Sequence, residues 1–192
     1  MNRAEIGRQL LQQSPFLAFR KEELERIVQR YRSRRNVFVR FGYQWKDKAG
    51  NPQTNLSIAL RNRLRELFVE VLDSESKPRY KLNYASLRAQ AGKPVLHKIV
   101  LDILSADLLF FDVTYINANV FFELGIAYAA NTNLFLLRRQ DSDEDVPSDL
   151  SGLTYCSYQF KRDFRINSSA ESDIKAAMRR VLRNKVRAKH ED

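Results

Sequence analysis

ADLLFFDVTYINANVFFELGIAYAANTNLFLL, residues 106–137, decides how the rest of the chain reads. Residues 108–113 form an apolar run too short for a membrane span and rich in strand-favouring side chains, which predicts a strand covered on both faces. Asp112 and Thr114 mark its end. Asn117 and Asn119 follow, each able to cap the helix that VFFELGIAYAA then builds. Residues 134–137 predict a second buried strand. In a doubly wound sheet, this order of strand, short loop, helix and strand brings Asp112, the two asparagines and the first helical turns to the carboxyl ends of the strands. Ligands bind there.

One carboxylate, Glu123, interrupts the apolar helix. Asn119 precedes it by one turn and Ile126, Ala127 and Ala130 share its face, while Val120, Phe121, Phe122, Leu124 and Tyr128 make the other faces apolar as well. A helix apolar nearly all round is expected to be buried, and a buried carboxylate needs either partners or a chemical task. In a structural role, Glu123 favours its helix start through the macrodipole or pairs with an arginine. In a functional role it meets a ligand at the strand ends. Burial raises its pKa and the helix start lowers it, so the sequence leaves the net direction open.

Around that stretch, 192 residues with 44% hydrophobic content suit one globular domain with a central sheet and two helical layers. Lys+Arg 33 against Asp+Glu 23 gives a net charge of +10, a basic surface suited to nucleic acid, anionic lipid or a phosphorylated small molecule. Charge alone does not choose among them. The single cysteine, Cys156, excludes an internal disulfide framework and a multi-cysteine zinc site, and with only His97 and His190 beside it no soft-ligand metal site is expected. The opening MNRAEIGRQL lacks the apolar core of a secretory signal, and no run approaches the roughly 20 apolar residues of a membrane helix. A soluble, cytoplasmic protein with no membrane partner is expected.

Residues 1–35 predict a helical extension with apolar stripes at Ile6, Leu10 and Leu11 and at Leu24, Ile27, Val28 and Tyr31, ahead of a domain over residues 36–192. NVFVRFGYQ predicts the first strand, closing on Phe41, Gly42 and Tyr43, where the glycine either lets backbone approach a ligand or simply turns the chain. In the polar loop WKDKAGNP, Trp45 stacks on a base or covers a core edge. A helix over about residues 53–72 follows from Leu56, Leu60, Leu64, Leu67, Phe68 and Val71, with Arg61, Arg63 and Arg65 solvated. RYKLNYASL is a weak strand candidate, and residues 95–104 return to helical spacing, with His97 a packed or surface side chain.

Beyond Leu137, DSDEDVPSD reads as a mobile acidic loop and LTYCSYQF as a last strand. Ser172 or Asp173 starts a final helix with Ile174, Ala177, Val181 and Leu182 inward. Arg179, Arg180, Arg183, Lys185, Arg187 and Lys189 make its outer side and tail basic, a nucleic-acid surface by charge but without interleaved aromatics. Five strands alternating with helices predict a flavodoxin-like three-layer α/β/α sandwich around a mainly parallel five-stranded sheet. The Walker-type phosphate loop, the GxGxxG fingerprint and the GxSxG elbow are absent.

ADLLFFDVTYINANVFFELGIAYA resembles nucleoside 2-deoxyribosyltransferase-like proteins, in which a strand ends on Asp, an Asn-rich turn follows and the next helix holds a Glu in an ELG segment. It is also similar to the equivalent part of TIR domains, where a helix Glu cleaves NAD. The likeness spans roughly residues 36–160. It implies an N-glycosidic-bond-cleaving enzyme acting on NAD or another nucleotide or nucleoside, without cofactor or metal, self-assembling as a homo-oligomer and serving in bacterial defence. In that likeness Glu123 takes the place of the carboxylate that attacks or stabilises the anomeric carbon. The chemistry demands such a group, because the transition state is oxocarbenium-like and a nearby carboxylate offsets its positive charge or forms a covalent glycosyl intermediate. The resemblance further implies that Asp112 orients base or ribose across the crevice and that Asn119 fixes the carboxylate or a sugar hydroxyl, with Asn117, Thr114, Phe41, Gly42, Tyr43 and Trp45 beside the substrate. Asn117 stands where some transferases use a carboxylate, and FGYQWKD departs from both families, which leaves base, sugar and acceptor open. A non-catalytic nucleotide-sensing or protein-interaction module of the same fold fits the same residues.

Overall fold

Strands joined through helices run parallel, because only a long crossover returns the chain to the same end of the sheet. In the computed structural model, which describes residues 36–43, 54–74, 80–87, 95–142 and 154–187, five strands run parallel. They are β1 (Asn36–Gly42), β2 (Lys81–Ser86), β3 (Leu108–Asp112), β4 (Leu134–Arg139) and β5 (Tyr155–Tyr158). Their order is β2-β1-β3-β4-β5 and every neighbouring pair is parallel. This is the flavodoxin-like order. Its switch point, where successive connections leave in opposite directions, lies between the carboxyl ends of β1 and β3. Gly42 pairs with Phe111 there.

Among the described residues four helices cover the sheet: α1 (Thr54–Ser74), α2 (Val95–Leu104), α3 (Ala118–Ala129) and α4 (Ser168–Arg187). Strand alternation decides which side chains meet which helices. Val37, Val39, Phe41, Leu108 and Phe110 pack with Leu60, Leu64, Leu67 and Phe68 of α1 and with Ile174, Met178, Val181 and Leu182 of α4. Leu109, Phe111 and Leu136 pack on the other face with Ile103 of α2 and with Val120, Leu124 and Ala127 of α3. Phe41, Phe68, Phe110 and Phe111 are among the largest fully buried side chains, each stabilising the fold by about 1.5–3 kcal/mol, so the centre of the core lies on β1 and β3. β3 is buried at every position, whereas the edge strand β2 alternates between exposed and half-buried, which is why its sequence signal is weak. Among the described residues, no helix is long and apolar enough to cross a membrane.

Four sequence expectations change. Arg63, expected in solvent, is largely buried, with its guanidinium 2.9 Å from Glu171, 3.0 Å from Glu66 and 3.1 Å from Glu70. It clasps α1 to α4, helped by Lys175 at 2.7 Å from Glu70. Lys185, expected on the basic outer side, turns inward to Asp107 at 2.9 Å and donates to the Asn36 carbonyl at 2.6 Å. Leu56 is 39% exposed although it shares the stripe of Leu60, Leu64 and Leu67, for it lies in the first turn of α1. The last helix starts at Ser168, ahead of Ser172, because the Asn167 carbonyl already accepts the Glu171 amide while the Asn167 amide bonds back to Gln159.

The helix α3 also departs from expectation, for it is not buried all round. Val120, Glu123, Leu124 and Ala127 face inward, while Phe122 is 57% and Tyr128 63% exposed. Among the described residues a single helical layer covers that face of the sheet, so one side of α3 remains outside it. The helical extension over residues 1–35, Trp45 and its loop, the acidic stretch beyond Ser142, the tail beyond Arg187 and the His97 side chain lie outside the described residues.

Candidate functional site

Asn117 sets the start of α3. Its backbone is extended, with φ −136 and ψ 117, and its side-chain oxygen accepts from the Asn119 amide at 2.9 Å and the Val120 amide at 3.2 Å. Two of the amides left unpaired at a helix start are thereby satisfied. Asn117 is the cap, and Asn119 occupies the first turn with its side chain exposed. The cap also fixes the phase of α3, so that Val120, Glu123, Leu124 and Ala127 turn toward the sheet.

Glu123 is only 8% exposed. Its Oε2 lies against Gly42, 3.3 Å from where a Cβ on that residue would stand, and the Phe111 ring comes within 2.5 Å of the same point. A side chain at this position would make Phe111 shift, a constraint other than the two the sequence suggests. What approaches its backbone is the protein's own Phe111 ring and Glu123 carboxyl group. Among the described residues Glu123 has no hydrogen bond and no ion pair. Burial without compensation pushes its pKa from 4.5 up to about 7.

Asp112 is buried too, but its carboxylate has partners within the protein. Its carboxylate accepts from the Thr114 amide at 3.1 Å, from the Thr114 hydroxyl and from the Tyr158 hydroxyl at 3.1 Å. The Thr114 hydroxyl oxygen accepts the Arg139 amide at 2.9 Å, and the Thr114 carbonyl accepts the Ser142 hydroxyl at 3.0 Å. Burial raises the pKa of Asp112, while the bonds from Thr114 and Tyr158 oppose the rise. This network fastens the carboxyl ends of β3, β4 and β5 to one another.

The site therefore holds fewer of the expected residues than the sequence suggests. Glu123 meets Gly42 at the switch point, whereas Asp112 points to the α1 and α4 face, where Tyr158 lies, and Thr114 is committed to the same network. Phe41 is fully buried and stacks on Tyr43 with ring centroids 4.9 Å apart and planes 11° from parallel. Both are core residues beneath α1 and α4 rather than walls of a crevice. Asn119 does not bond Glu123. Sequence reasoning missed Phe111 as the ring beside Glu123 and Tyr158 as the partner of Asp112. A buried tyrosine hydroxyl does require a polar partner, a signal that LTYCSYQF carries without naming the partner.

A carboxyl group with a pKa near neutrality and no partner among the described residues can donate a proton, or, once ionised, can attack or stabilise a cationic carbon. No family model and no curated protein matches the chain. Among solved structures it is similar to the rubredoxin oxygen:oxidoreductase (ROO) from the anaerobe Desulfovibrio gigas, at 10% identity and a TM-score of 0.43. The likeness covers 86% of this chain and spans 40% of the length of that protein.

Proposed function

We propose that the protein cleaves the N-glycosidic bond of a nucleotide-type substrate, NAD or another nucleotide or nucleoside, with Glu123 as the catalytic carboxylate. One observation carries this reading: a carboxyl group at the switch point of a flavodoxin-like sheet is buried and has no partner among the described residues. As the bond from the anomeric carbon to the base nitrogen breaks, its electron pair leaves with the base and positive charge grows on the sugar. Ionised Glu123 offsets that charge or closes onto the carbon as a glycosyl ester that water then hydrolyses. In this reading Asn119, exposed on the first turn of α3, bonds a sugar hydroxyl. The net charge of +10 favours a phosphorylated substrate over a free nucleoside.

The test is release of free base from NAD and from nucleosides by the wild type and by Glu123→Gln, which keeps the shape and removes the charge. A loss of about 10³-fold or more is expected. Equal release by the two proteins would remove Glu123 from the mechanism.

A non-catalytic nucleotide-binding module is the second reading. The internal commitment of Asp112 and Thr114 favours it, because the acidic residue assigned to orient the base is already bonded within the protein. It requires that an added nucleotide raise the melting temperature and be recovered intact. Any turnover that Glu123→Gln abolishes excludes it.

A further inference from the structure

Past β5 the chain makes a tight hairpin in which one residue stands against its local conformational preference. Phe160 and Ile166 form an antiparallel bridge, the Lys161 amide donates to the Arg165 carbonyl at 2.7 Å, and the Phe164 amide donates to the Lys161 carbonyl at 3.1 Å. The loop of residues 161–165 is thus a turn followed by a left-handed residue, a position that favours glycine or asparagine. Phe164 occupies it with φ 59. The residue is 52% exposed, and its ring meets that of Phe160 edge-on with centroids 6.4 Å apart. The fold gains little from a large apolar side chain held in water in a disfavoured conformation, and strain of this kind concentrates where a partner binds.

The neighbours of Phe164 are cations. Lys161, Arg162 and Arg165 are all exposed, and the hairpin bond sets Lys161 opposite Arg165. Arg165 meets Asp163 at 3.2 Å, but both side chains are largely in solvent, where such a pair is weak. Lys161 and Arg162 make no ion pair with a described residue. An accessible aromatic side chain set among exposed cations matches a ligand that repeats planar rings and anionic links.

We propose that the hairpin of residues 161–165 binds single-stranded nucleic acid, with a base stacked on Phe164 and the adjoining phosphates held by Lys161, Arg162 and Arg165. Stacking accepts any base, and the cations supply attraction to the backbone. A lipid surface fits less well, because the central residues of the turn are Arg162 and Asp163, and Phe164 cannot enter hydrocarbon without drawing those charges with it. The surface lies beyond the carboxyl end of β5, separate from the outer side of α4, where charge alone suggests a nucleic-acid contact.

Fluorescence anisotropy of a labelled oligothymidylate of about 15 nucleotides, titrated with the full chain at low salt, tests this. Phe164→Gly relieves the left-handed strain, so its melting temperature should equal or exceed that of the wild type while its affinity falls about tenfold. Arg162→Ala should weaken binding several-fold, and Arg183→Ala, which removes the same charge from the exposed side of α4, should change it by less than about twofold. Affinity of Phe164→Gly within about twofold of the wild type would overturn the proposal. So would equal losses in the two arginine variants, which mean diffuse charge. Phe164-dependent binding to phosphatidylserine vesicles without binding to the oligonucleotide would assign the hairpin to a membrane instead.

Discussion

Asp112 and Glu123 share one end of one sheet. Both are buried and burial raises the pKa of both, yet Asp112 accepts three hydrogen bonds from within the protein and Glu123 accepts none from the described residues. The contrast separates two uses of a costly group. A buried carboxylate with its lone pairs filled fixes the ends of three strands relative to one another. A buried carboxylate left unfilled destabilises the fold at neutral pH, and groups of that kind persist where function retains them.

The largest expected difference between the two is in turnover, where Glu123→Gln removes base release. Asp112→Ala should act on the fold instead. It removes the carboxylate that accepts from the Thr114 amide and from the Thr114 and Tyr158 hydroxyls, and a loss of about 2–4 kcal/mol, read from the urea midpoint, is expected. A loss below about 0.5 kcal/mol would show that the network does not hold the strand ends.

Glu123→Gln should move stability the other way. The folded protein keeps a proton on Glu123 up to about pH 7, while the unfolded chain releases it near 4.5. Between those values the folded state binds the extra proton, so wild-type stability falls as pH rises through the window. Glutamine escapes that loss. Near pH 8 the variant should be more stable by roughly 2–3 kcal/mol, with the gap closing as pH drops toward 4.5, as thermal unfolding over a pH series would show. A variant less stable than the wild type at both ends of the series would mean that Glu123 has a stabilising partner.

The smallest effect belongs to the glycine against Glu123. Gly42→Ala places a Cβ 2.5 Å from the Phe111 ring and 3.3 Å from Glu123 Oε2, and overpacking of that kind should cost about 1–3 kcal/mol in denaturant melts. An unchanged midpoint would mean that Phe111 moves aside freely.

The sequence conveys the architecture well and the site unevenly, for identifiable reasons. The apolar runs and the helices between them carry the parallel sheet, since length and periodicity are local properties. Glu123 stands out for the same reason, as a charge within an apolar helix. What does not show is the facing of Asp112. LLFFD is buried on both sides, so its pattern has no alternation from which to tell which face the last residue takes. The same loss of phase hides Phe41 and Tyr43 in the core and leaves unmarked the side of α3 that carries Phe122 outward. Tyr158 lies 46 residues from the Asp112 carboxylate it bonds, a pairing that only the strand order β3-β4-β5 creates.

The most direct measurement of the role assigned to Glu123 is the pH dependence of kcat/KM for base release from NAD or the best nucleoside substrate. An ionised carboxylate acting at the anomeric carbon should give a rate that rises with pH and levels off above an apparent pKa of about 7, with the rise absent in Glu123→Gln. A profile that is flat or falling through that range, or one that survives intact in Glu123→Gln, would contradict it.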